Sequence, residues 1–152
     1  MIDKLFAPVS VVIPAFNEED WISSPIEGLL RQTLLPSEVI IVDNNSSDKT
    51  TEIVMEYKEA FEKKGVVYRV LQELKPGVAN ARNCGWFAAG QPIIASTDAD
   101  TILPDNWIES IERCFEKTGA DAIAGKTVSS DASWLANKLT FLVFPIYSWI
   151  TA

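Results

Sequence analysis

With 152 residues, 47% of them hydrophobic and 22% charged, the chain has the size and composition of one globular domain and no signature of disorder. A net charge of −8 with no run of Lys or Arg argues against a nucleic-acid partner, whose phosphates need a basic face. The absence of histidine excludes Ser-His-Asp triads, His acid–base chemistry and His-ligated zinc.

Cys84 and Cys114 stand thirty residues apart and fit no metal-ligand spacing; one disulfide or two free thiols would satisfy the sequence, and free thiols in a reducing cytosol are the expectation. The opening MIDKLFAPVSVVIP carries an acid at Asp3 and does not read as a signal peptide.

Along the chain, short β-branched runs alternate with longer helical stretches, the pattern of a parallel α/β sheet flanked by helices. Val9–Pro14 is the first strand, apolar on both faces. Ser24-Pro25-Ile26-Glu27 supplies a helix cap, a proline at the first helical position and a capping-box glutamate. Ile26, Leu29 and Leu30 mark the buried face of that helix. Glu38–Asp43 is the second strand and Asn44–Asp48 a polar turn. Ile53, Tyr57 and Phe61 then recur at helical spacing as far as Gly65. Val66–Leu71 is the third strand, and Val78–Ala89 a helix entered through Pro76-Gly77. Pro92–Ser96 is a fourth strand that runs into Thr97-Asp98-Ala99-Asp100-Thr101. Pro104 opens a helix with Trp107, Ile108, Ile111 and Phe115 on one face, and Asp121–Ala124 reads as a short fifth strand.

In an open parallel sheet the carboxyl ends of the strands share one edge, where ligands bind. The polar clusters after Pro14, Asp43, Leu71 and Ser96 all fall there. Asp98 and Asp100 flank a small residue, so an extended segment turns both carboxylates to one side. Adjacent anions resist joint ionisation unless a cation lies between them, which suits Mg²⁺ or Mn²⁺ facing diphosphate oxygens. The plainer alternative is an acidic turn before the next helix. Asp43 and Asn44 accept from the N–H edge of a base or else build an Asx turn. Phe16 borders a base or is ordinary core, and Asn17 caps a helix or contacts the nucleotide. Arg82 is a phosphate-binding cation or a solvated helix residue, with Lys75 a weaker loop cation.

The segments VSVVIPAFNEEDWI, EVIIVDNNSSDKT, KPGVANARNCG and STDADT, in this order from Val9 to Asp105, resemble the family 2 glycosyltransferases of the GT-A fold. The resemblance implies a Rossmann-like three-layer sandwich and an inverting, metal-assisted transfer of a sugar from a UDP- or GDP-sugar to an acceptor hydroxyl. It assigns Pro14, Ala15, Asn17, Asp43 and Asn44 to base and ribose, and places Glu18 with them in the nucleotide-sugar site. Arg82 falls in the donor region, with Asp98 and Asp100 on sugar and metal. Asn44 stands where many relatives have an acid. Thr101 stands where many have a further acid, which leaves Asp100 as the principal metal ligand.

Inverting members place a carboxylate base well downstream of the paired acids. Asp105, Glu109, Glu112, Glu116, Asp121 and Asp131 are the acids here, and none has that setting. The expectation is therefore a donor-binding domain over residues 1–130, truncated before its acceptor half, or a nucleotide-sugar-binding module without catalysis. A sugar nucleotidyltransferase would need a glycine-rich loop where Ala15–Glu19 stands. Residues 131–152 form an apolar segment, from Trp134 to Ile150, too short to span a bilayer. It is expected to pack on another part of the protein, to self-associate, or to lie on a membrane surface near a lipid-linked or glycan acceptor. The corresponding location is cytoplasmic, at or near the membrane.

Overall fold

The computed structural model describes residues 5–125, and a compact unit ends at Asp121. Expectations for Asp131 and for the apolar segment from Trp134 to Ile150 lie outside the described residues.

Four strands form one parallel sheet: β1 (Phe6–Ala15), β2 (Leu35–Asp43), β3 (Val67–Gln72) and β4 (Ile93–Ser96), in the order β3-β2-β1-β4. The helices are α1 (Ser23–Leu30), α2 (Thr50–Glu56), α3 (Lys58–Lys63), α4 (Val78–Ala88) and α5 (Trp107–Thr118). Alternation along β1 separates two cores. Val9, Val11, Ile13 and Ala15 join Ile26, Leu29, Val54, Phe61 and Ile108 from the helices, while Val12 packs with Ile40, Val42 and Ala81 under α4. The result is three layers, the α/β arrangement expected from the sequence. Cys84 rides on α4 and Cys114 on α5, and both are free thiols.

Several local expectations change. The helix expected through Tyr57 is broken there into α2 and α3. Tyr68, stacked on Phe61 with ring centroids 4.8 Å apart, donates its hydroxyl at 2.8 Å to the Val54 carbonyl. A continuous helix would offer that carbonyl to the N–H of Lys58. Ser24 does not cap α1: it lies inside the helix and reaches Thr101 O at 3.5 Å. The turn before the helix supplies the entry instead, with Trp21 and Ile22 N–H both donating to Glu18 O. No fifth strand forms among the described residues. Asp121–Gly125 is exposed and irregular, since a four-residue segment with two alanines buries too little to fix a strand without a paired neighbour.

The start of α5 is tied to the end of α1 by buried Gln32. Its Nε2 donates to Gly28 O and Pro104 O, and its Oε1 accepts from Ile108 N–H. No helix among the described residues is long and apolar enough to cross a membrane.

Candidate functional site

At the carboxyl edge, β1, β2 and β3 end level: Ala15 pairs with Asp43, and Asp43 with Gln72. β4 is offset. Its last residue, Ser96, pairs with Val12, and Thr97 N–H still donates to Val12 O at 3.2 Å. The chain after β4 therefore leaves the sheet three positions before β1 does, and Asp98–Asp100 runs beside the end of β1. Strands β2 and β4 lie on opposite sides of β1, so the strand order reverses between β1 and β4, where such sheets open a ligand crevice.

The paired acids sit on a turn, not on the extended segment expected from the strand before them. Thr101 N–H donates to Asp98 O at 3.3 Å. Ala99, 3% exposed, is drawn into the core, which leaves Asp98 and Asp100 both facing outward. The small residue between them is what lets the turn seat. Asp98 accepts a charged hydrogen bond from Arg82 Nη2, on the second turn of α4. Among the described residues, no three His, Cys, Asp or Glu side chains gather into a ready metal cage. Two outward carboxylates nevertheless suit a hard cation that keeps most of its positions for phosphate and water oxygens.

The loops after β1 and β2 are interlocked. Asn17 adopts the left-handed conformation at φ 54°, which asparagine tolerates. Its N–H donates to Ser46 Oγ, and its Oδ1 accepts from Ser47 N–H at 2.8 Å. Glu18 N–H donates to Thr50 Oγ1 at 2.7 Å, whose hydroxyl donates to Asp48 Oδ1 at 2.6 Å. Asp48 Oδ2 also accepts from Glu19 N–H. Partial burial raises the Glu18 carboxyl, as do the charges of Asp100, Asp48 and Asp98. Glu18 thus belongs to the same electrostatic neighbourhood as the paired acids. Burial works against the charged form of Asp48, but its hydrogen bonds from Thr50 and Glu19 prevail and hold it low.

Asp43 is 4% exposed, and its Oδ1 accepts from Ser46 N–H at 3.2 Å, which joins it to the Asn17 network. The Asn44 amide is taken up by the loop before α4. Its Nδ2 donates to Glu73 O and Lys75 O, and its Oδ1 accepts from Gly77 N–H. Pro14 and Ala15 are buried in the strand, and Ala15 O already accepts from Asn44 N–H. Phe16 is 58% exposed, so it is not core. Lys75 lies on the exposed loop before α4. Asp48 and Thr50 are site neighbours that sequence reasoning does not single out. The Asp-x-Thr turn is visible in the sequence, but its partners lie about thirty residues away in the chain. Of the downstream acids, Asp105 faces Arg31 at 3.8 Å and Glu109 pairs with Arg113 at 2.5 Å.

The model of the family described as Glycosyl transferase family 2 matches residues 10–148. The chain belongs to that family. It is 34% identical over 126 residues to the glycosyltransferase GlyG of Streptococcus pneumoniae, an alignment that covers 82% of the chain and 40% of GlyG. Among solved structures, Staphylococcus aureus TarS 1–349 superposes with a TM-score of 0.72 at 22% identity, over 82% of the chain and 37% of that fragment. The mannosyltransferase PcManGT from Pyrobaculum calidifontis, solved with GDP-Man and Mn²⁺, superposes with a TM-score of 0.58 at 29% identity, over 64% of the chain and 28% of that protein. The chain thus spans well under half the length of each of these relatives. The parallel sheet flanked by helices matches their GT-A architecture.

Proposed function

We propose that this chain is the donor-binding part of an inverting glycosyltransferase that passes a sugar from a nucleoside diphosphate to an acceptor hydroxyl, assisted by Mg²⁺ or Mn²⁺. The observation that carries the reading is the convergence of Arg82, Asp98 and Asp100 beside the ends of β1 and β2 in a chain of family 2. The PcManGT complex with GDP-Man and Mn²⁺ and the TarS fragment solved with UDP support a nucleotide-sugar donor.

In this reading Asp43 and Asn17 border the nucleoside, with Pro14 and Ala15 contributing the strand end that the base lies against. Glu18 faces the paired acids. Asp100, unpaired with Arg82, is the principal ligand of the cation and Asp98 the secondary one. When bound, the cation would neutralise charge on the leaving diphosphate. Arg82, oriented by Asp98, is placed to donate to a phosphate oxygen. The acceptor oxygen bonds to the anomeric carbon from the face opposite the diphosphate. The bond from that carbon to the phosphate oxygen breaks, and the diphosphate leaves with its electron pair. The acceptor proton passes to a carboxylate base. Asp105 and Glu109 are paired with Arg31 and Arg113, and no carboxylate among the described residues is assigned as that base.

Calorimetry with UDP and GDP, with and without Mn²⁺ or Mg²⁺, tests the site. Metal should strengthen binding in the wild type, and Asp100→Ala should lose that gain more fully than Asp98→Ala. Equal, metal-independent affinities in all three proteins would remove the assignment. A radiolabelled-donor assay on the chain should detect no transfer to an acceptor. Donor binding without donor hydrolysis, even with metal, would favour the second reading, a nucleotide-sugar-binding module.

A further inference from the structure

Asn44 closes β2 with its side chain 6% exposed and its amide fully engaged by one loop. Nδ2 donates to Glu73 O at 2.7 Å and to Lys75 O at 2.8 Å, and Oδ1 accepts from Gly77 N–H at 2.7 Å. Two carbonyls and one N–H are the complement of a primary amide. A carboxylate in the same place would lose both donors and set negative oxygens against two carbonyl oxygens.

The third contact matters most. Gly77 immediately precedes α4 and adopts φ +118°, and no side chain caps the helix there. The bond from Gly77 N–H to Asn44 Oδ1, together with the one from Asn80 Nδ2 to Pro76 O at 2.7 Å, fixes how the chain enters α4. Asn44 N–H in turn donates to Ala15 O at 2.8 Å, so the loop is referenced to the end of β1. Five residues beyond Gly77 on the same helix, Arg82 meets Asp98. A continuous path thus runs from the end of β1 through Asn44 and Gly77 to the cation that faces the paired acids.

We propose that Asn44 is a positioning residue of the donor site: it clamps loop 73–77 and the entry of α4 so that Arg82 is held at Asp98, and it does not read the base. The inference rests on the donor-binding reading above.

The test uses this chain with Asn44→Asp and Asn44→Ala. Exchange of the Gly77 amide proton is followed by NMR, and uridine, UDP and GDP are titrated in the presence of Mn²⁺. In both variants the Gly77 amide should exchange at least about tenfold faster. UDP and GDP affinities should fall together by about fivefold to tenfold, as expected if the charged hydrogen bond from Arg82 is weakened and not lost, while uridine affinity stays unchanged. A general loss of stability would lower the melting temperature without separating diphosphates from uridine. A change in the UDP-to-GDP preference with the Gly77 amide still protected would overturn the proposal, since it would make Asn44 a base reader. If Asn44→Asp does not fold, the smaller neutral Asn44→Ser carries the same comparison. A wild-type chain that binds no nucleotide would overturn the donor reading and the site role of Asn44 with it, whereas unaltered Gly77 exchange would overturn the clamp alone.

Discussion

A Cβ on Gly85 would stand 2.3 Å from Val12 Cγ1 and 3.1 Å from Val42 Cγ2, so α4 approaches β1 and β2 as closely as its backbone allows. Gly85→Ala gains helix propensity of about 1 kcal/mol, but the contact forces the helix off the sheet, and overpacking of this kind costs about 1–3 kcal/mol. The clash should win. Urea unfolding should show a lower midpoint, and UDP affinity should fall as well, because Arg82 lies one turn earlier on the same helix. A midpoint equal to or above wild type would mean that α4 has room to shift.

Arg82→Lys keeps the charge but removes the planar fork that holds Asp98 and leaves a second donor for phosphate. UDP affinity should fall by about tenfold, and uridine affinity should not change. If calorimetry finds UDP binding intact, Arg82 contributes a point charge only.

Glu18 is pushed above the ordinary carboxylate range by burial and by Asp100, Asp48 and Asp98. A raised folded value means that ionisation of Glu18 works against the fold at neutral pH. Glu18→Gln should therefore raise the melting temperature at pH 7 in metal-free buffer. The gain should shrink when Mn²⁺ is added, because the cation relieves the same repulsion. An unchanged melting temperature without metal would place Glu18 outside the field of the paired acids.

The centre of the sheet was legible because β1 and β2 are buried on both faces: Val39–Val42 is an unbroken apolar run, fully buried in the structure. The helices of α1 and α5 followed from their 3.6-residue spacing. Long-range hydrogen bonds were not legible. Nothing near Tyr57 announces that the Tyr68 hydroxyl will reach the Val54 carbonyl where α2 gives way to α3. Asn44 reads locally as a turn or a base contact, whereas its partners lie 29 to 33 residues on. Asp98 and Asp100 were recognisable as a pair, but the burial of Ala99 that turns both outward depends on the core beneath. The Asp121–Ala124 strand failed for the opposite reason: its pattern was local, and no strand among the described residues pairs with it.

At the other end of the sheet, Glu38 is 5% exposed and binds three elements at once. Oε2 accepts from Ser10 Oγ at 2.5 Å and from Gly90 N–H at 2.8 Å, and Oε1 accepts from Arg69 Nη1 at 3.1 Å. Arg69 also donates to Ala88 O, which ties the end of α4 to β3. Burial pushes the Glu38 carboxyl up, but the bonds from Ser10, Gly90 and Arg69 together outweigh it, and the group is held below the ordinary range. Because the folded value is the lower one, the unfolded chain binds the proton more readily. The stabilisation is therefore complete above the unfolded value, about pH 4.3, and is lost as pH falls through the folded one. Glu38→Gln loses the charged acceptor and replaces one oxygen with a donor facing other donors. It should lower stability at pH 7 by about 1–3 kcal/mol. The gap between the two proteins should narrow as urea unfolding is repeated at pH 5, 4 and 3. A gap that stays constant across that range would mean that the ionised carboxylate is not what holds β1, β2 and the end of α4 together.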